Sequence, residues 1–158
     1  MKTEQINNLN KKLPDWAVKK NPMKPAMSVI HPMAVIDRLN EVFGIGKWQT
    51  NVEKLSSVKW TQKTSKGERE VYTATSKVIF KVPSEEINLE QFGGSTNDDE
   101  GDALKGSATD GLTKIASYLG IGAEIYKGHG NIDVGSAETK SKDFRDNEDA
   151  LADDNFEI

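Results

Sequence analysis

A chain of 158 residues is long enough to bury one core and too short for two ordinary domains. It contains no cysteine, which excludes disulfide frameworks, thiolate nucleophiles and Cys-based zinc sites, and the lack of a long apolar run sets the expectation of a cytoplasmic protein without a membrane partner. The net charge of -4 hides a segregation: Met1 to Lys81 holds fifteen Lys and Arg against seven Asp and Glu, Val82 to Val134 three against ten, and Gly135 to Ile158 three against eight, so the basic charge is confined to the first half.

In chain order, Pro14, Pro22 and Pro25 punctuate a stretch carrying Lys19, Lys20 and Lys24. Residues 1–30 are accordingly expected to be an irregular, extended basic arm with a short helix. A helix begins at His31-Pro32, with proline in the first helical position. It sets Val35, Ile36, Leu39, Val42 and Phe43 on one stripe before Gly44 ends it. From Lys47 to Trp60 the pattern becomes alternating, which predicts a half-buried strand with Trp48, Thr50, Val52, Val58 and Trp60 on one side. Ser65-Lys66-Gly67 reads as a turn, and Val71 to Val82 as a second strand with Tyr72, Ala74, Val78, Phe80 and Val82 inward. Ile87 to Ser95 is a third antiparallel strand, where Gly93-Gly94 allows a bulge or bend. Thr96 to Glu100 opens a long helix that runs to about Leu119 and is closed by Gly120 and Gly122. Its apolar face is read as Leu104, Ala108, Gly111, Leu112, Ile115 and Leu119. Residues 131–158 have no trustworthy periodicity and are expected to be a disordered acidic tail.

The predicted fold class is therefore α+β: a three-stranded antiparallel sheet packed by a helix before it and a long helix after it, with residues 31–130 as the single functional domain. Fold alone says nothing about function. Two segments carry more specific wording, LNEVFGIGKW at Leu39 to Trp48 and GDALKGSATDGLTKIASYLGIG at Gly101 to Gly122. They resemble the two signature stretches of the Rad-fifty-two-type single-strand annealing family, which includes phage annealing proteins of the Sak group. The resemblance covers roughly His31 to Lys127. It implies a homo-oligomeric ring whose joined sheets and helices hold single-stranded DNA by its backbone, leave the bases free to pair, and anneal complementary strands in recombination and double-strand break repair without ATP. The large C-terminal region of eukaryotic members has no counterpart here, which sets the expectation of a minimal phage or bacterial protein working in the bacterial cytoplasm.

The residues themselves supply suitable chemistry. Lys105, Thr109 and Thr113 fall at i, i+4 and i+8 on the polar side of the last helix, and Lys114 lies on the opposite flank of that arc. Ammonium and hydroxyl groups so spaced can hold successive phosphates without reading base edges. Lys47 can add a contact from another wall, and Lys24, Arg38, Lys54 and Lys77 are further candidates. Without the family wording, Lys105 and Lys114 would read as the solvated face of an amphipathic helix. For Asp110 a packing or interface role is favoured, because a carboxylate repels phosphate. Trp48 is assigned to the core.

Asp98, Asp99, Glu100 and Asp102 raise the alternative of a metal-dependent nuclease, but consecutive carboxylates at a helix start are better explained as caps. His31 and His129 lack partners at metal-ligand spacing, and no phosphate-binding GxxxxGK[ST] loop occurs, so no metal, cofactor or enzymatic activity is expected. The terminal Asp153-Asp154-Asn155-Phe156-Glu157-Ile158 mixes acids with apolar residues, as the partner-binding tips of bacterial single-strand binding proteins do. It is either a solubilising end or a docking site for such a protein. A module that protects single strands without pairing them is the main rival, and a double-stranded RNA binder is a weaker one.

Overall fold

The computed structural model describes residues 1–20 and 28–126. The acidic tail and Lys24 lie outside the described residues. The elements are helix α1 (Thr3–Leu9), the short strands β1 (Val18–Lys20) and β2 (Ser28–Ile30), helix α2 (Pro32–Phe43), strands β3 (Gln49–Thr64), β4 (Gly67–Val82) and β5 (Ile87–Asn97), helix α3 (Glu100–Tyr118) and a last turn, α4 (Ala123–Tyr126). β1 and β2 form an antiparallel ladder of their own. β3, β4 and β5 form a three-stranded antiparallel sheet in that order, with a helix before it and a long helix after it.

The core sits where the even-numbered face of β4 meets the helices. Val78, Phe80 and Val82 pack with Ala34, Val35 and Leu39 of α2, Ile115 and Ala116 of α3, and Ile121 beyond it. Leu9, Leu13, Ala17 and Ile30 complete the same cluster. The short helix expected in this segment is α1, and Leu9, Leu13 and Ala17 close one end of the core, so residues 1–20 are packed against the domain. Arg38 secures them. Its guanidinium is buried and donates to the carbonyls of Asn8 at 2.6 Å and Lys11 at 2.7 Å, while its Nε pairs with Glu41 at 3.2 Å. It caps the end of α1, where carbonyls lack helical partners, and so is structural rather than a DNA contact.

The helix ends follow the sequence logic. His31 caps α2, its Nδ1 accepting from the Met33 N–H at 3.2 Å, and Pro32 fills the first helical position. Asp99 caps α3 by accepting from the Asp102 N–H at 3.0 Å. Gly120 and Gly122 take positive φ after α3, where a side chain would be strained.

Four expectations change. β3 has no buried residue along its sixteen positions, so it is an exposed edge strand in this protomer rather than a half-buried one. Its alternation also breaks at Leu55: Lys54 pairs with Ser76 but Ser56 with Thr75. This bulge turns Val58 and Trp60 to the open face of the sheet, opposite Trp48, Thr50 and Val52, since one inserted residue exchanges the faces of everything beyond it. Trp60 donates its indole N–H to Thr73 Oγ1 on that face at 2.8 Å.

Gly93-Gly94, by contrast, makes no bulge, and β4 and β5 stay in register throughout. Gly93 permits close helix packing: a Cβ there would overlap the Ser107 carbonyl oxygen and lie 2.5 Å from the Gly111 nitrogen. The buried stripe of α3 is correspondingly Ala103, Ser107, Gly111, Ile115 and Ala116. Of the predicted apolar face, Leu104, Ala108, Leu112 and Leu119 are only partly buried. Small residues face the strands because the backbones come so close, and the leucines flank the contact.

Candidate nucleic-acid interface

Two layers decide where cations can meet a strand. α3 covers the inner face of the sheet, leaving its own back and the sheet edges to solvent. Positions two residues from the buried stripe lie about 200° around a helix, so Lys105, Thr109 and Thr113 run along the side of α3 away from the sheet. Lys105 is well exposed and donates to Asp102 Oδ1 at 2.8 Å. That hydrogen bond, with the charge of Asp102, raises the pKa of Lys105 above its ordinary value. Thr113 Oγ1 donates to the Thr109 carbonyl at 2.9 Å, a back-bond typical of helical threonine. Its hydroxyl must rotate before it can donate to a phosphate.

Lys114 sits on the flank of α3 and reaches around the edge of β5. Its ammonium donates to Asp110 Oδ2 at 2.8 Å and to the Phe92 carbonyl at 3.2 Å. The same Asp110 oxygen accepts the Gly94 N–H at 3.0 Å. Helix and strand are clipped together there, and strand groups that would otherwise be open to another chain are occupied. Asp110 thus has the packing role expected of it. The (i, i+4) spacing of Asp110 and Lys114 was visible in the sequence, but the clip to β5 needed the fold.

Lys47 is exposed at the turn before β3. β3 and β5 are the two edges of the sheet, so Lys47, just before β3, and Lys114, which reaches Phe92 of β5, lie toward opposite edges. The four residues of the last helix therefore share one element, and Lys47 stands apart from them. Near the base of β3, Lys81 lines a groove of about 340 Å³ with Gln49, Thr50, Asn51 and Ile79.

Four other cations of the first half are engaged locally. Lys54 pairs with Glu100 at 2.9 Å, Lys59 with Glu70 at 2.7 Å, Lys77 with Glu90 at 2.9 Å and Arg69 with Asp98 at 3.2 Å. Glu100 is held below the ordinary carboxylate pKa, chiefly by its hydrogen bond from Lys54. The acidic cluster is thereby divided among a cap and separate ion pairs. Among the described residues no three His, Asp or Glu side chains are grouped to hold a metal ion, and no helix is long and apolar enough to cross a membrane.

A family model described as the Rad52/22 family double-strand break repair protein matches residues 2–144. The chain belongs to that family. No curated protein matches the sequence at a significant level. Membership in the Rad52/22 family places the chain in double-strand break repair and recombination. It also directs attention to what the two signature segments do in the fold. In the first, Asn40 accepts the Trp48 indole N–H at 2.9 Å, and Phe43 and Trp48 both pack on Phe80, with ring centroids 6.3 and 5.7 Å away. In the second, Gly106 and Gly111 bring α3 against Ser95 and Val78, Ser107 hydrogen-bonds Ser76 at 2.6 Å in the interior, and Asp110 clips β5. The residues that identify this Rad52/22 chain mainly build its scaffold, and the lysines are carried on that scaffold.

Proposed function

We propose that this chain binds single-stranded DNA by its phosphate backbone and anneals complementary strands without a nucleotide cofactor, as a homo-oligomeric ring serving recombination and repair in a phage or bacterium. The observation that carries this reading is the row formed by the exposed Lys105 and the half-buried Thr109 and Thr113 on the side of α3 away from the sheet, flanked by Lys114, in a chain of the Rad52/22 family. Ammonium groups and hydroxyls in such a row suit successive phosphates and leave the bases outward, where pairing selects the partner strand.

Lys47 supports the oligomeric part of the reading. Because it stands at the other edge of the sheet, a copy placed alongside would add its Lys47 to the α3 lysines of its neighbour, making one track from two protomers. Binding sequesters two strands, neutralises part of their repulsion and raises their local concentration; no covalent bond is made or broken. In this reading residues 31–130 carry the annealing activity, and the acidic residues 131–158 are a docking site for a single-strand binding protein.

The test combines sizing with annealing of two complementary labelled oligonucleotides, without ATP or metal. A large homogeneous oligomer that accelerates annealing is the expected result. A protein that binds single strands yet leaves annealing at its spontaneous rate would overturn the proposal in favour of a protective module.

A further inference from the structure

Both lysines on the exposed surface of α3 are tethered by a carboxylate one turn earlier in the same helix. Asp102 holds Lys105, and Asp110 holds Lys114. The second tether is the more constrained, since Asp110 is itself fixed by the Gly94 N–H and the Lys114 ammonium also donates to the Phe92 carbonyl. Of the three protons on that ammonium, two are taken by these acceptors and one is left for a phosphate. A phosphate arriving there also meets the negative charge of Asp110, 2.8 Å from the cation it seeks.

We propose that Asp110, with Asp102 in a lesser part, is a positioning residue that aims the helix lysine while weakening its hold on DNA. The inference rests on the single-strand binding reading above. An annealing protein must release its strands once they have paired, and a tightly held backbone would retain them. Many attenuated contacts around an oligomer give firm overall binding while each one exchanges readily. The carboxylates thus set a balance between capture and release.

Asp110→Asn tests this directly, because the amide oxygen still accepts the Gly94 N–H while the negative charge is gone. Asp102→Asn is the second variant; its carboxylate is exposed and its own N–H bond to Asp99 is unaffected. At constant oligomer size, Asp110→Asn is expected to lower the Kd for an oligothymidylate at least threefold and to steepen the log–log salt dependence by about 0.7. It should also slow annealing at saturating protein. Asp102→Asn is expected to move the same quantities in the same direction by less. Adding Lys114→Ala to Asp110→Asn should abolish the gain, which a merely structural role for Asp110 would not predict.

If Lys105→Ala and Lys114→Ala weaken binding but both asparagine variants bind no tighter than the native protein, this proposal fails and the DNA-contact reading stands. A gain that persists in the Asp110→Asn/Lys114→Ala protein also overturns it. Removal of both lysines without any change in affinity would sink the DNA-contact reading, and this proposal with it.

Discussion

Gly93 has no room for a methyl group. The atoms a Cβ would meet are the backbone of Ser107 and Gly111, which cannot swing aside as a flexible side chain can. Gly93→Ala must therefore push α3 away from the sheet, and overpacking of this kind costs about 1–3 kcal/mol. Chemical denaturation should show a lowered midpoint, whereas the same change at Gly94, whose Cβ would meet only the Ala74 carbonyl oxygen at 3.9 Å, should have a much smaller effect. Arg38 gives a parallel case. Arg38→Ala removes a buried guanidinium that donates to three carbonyls around the end of α1 and pairs with Glu41, and hydrogen bonds from a charged group contribute about 1.5–3 kcal/mol; a melting experiment should find this variant well below Lys54→Ala. Neither role was legible in the sequence. A glycine pair in a strand is equally compatible with a bend or with close packing, and a lone arginine on an amphipathic helix looks like a surface charge until the preceding segment is seen folding over it.

At the scale of elements, local chemistry was the better guide. The starts and stops of α2 and α3 were readable because capping is decided within a few residues, by His31-Pro32, Asp99 and the closing glycines. The faces of β3 were not, because the Leu55 bulge has no glycine or proline to announce it and reverses the apparent alternation. The junction between β3 and α3 also gives a pH signature. The Lys54–Glu100 pair holds the Glu100 carboxylate below its ordinary value of 4.5. A depressed folded-state pKa contributes stability that is present above the unfolded value and is lost as pH falls through the folded one. Glu100→Gln should accordingly melt slightly below the native protein at neutral pH, and the difference should shrink as the pH falls below 4.5. A difference that held constant down to strongly acidic pH would show that the ion pair is not its source.

For the whole molecule, the question raised by the proposed function is how a chain of net charge -4 would hold a polyanion. Charge segregation read from the sequence answers only half of it, because the fold neutralises much of the basic surplus in local pairs along β3, β4 and β5. The α3 lysines are paired as well, with Asp102 and Asp110; together with Lys47 at the start of β3 they form a small set of contacts, which a single copy cannot turn into strong binding. Repetition around an oligomer can, since linked sites act at high effective concentration. Affinity built this way comes from displaced counterions and falls with salt by about 0.7 in the log–log slope for every phosphate neutralised on a single strand. Replacing both Lys105 and Lys114 by alanine should therefore weaken binding to all sequences alike and flatten the salt dependence by about 0.7 for each phosphate no longer neutralised, while sedimentation shows an unchanged assembly. Fluorescence anisotropy over a salt series, on mixed-sequence and homopolymeric oligonucleotides, measures both effects. Binding that was unaltered by salt, or weakened for one sequence alone, would point instead to base recognition on the open face of the sheet, where Val58, Trp60 and Phe92 are exposed.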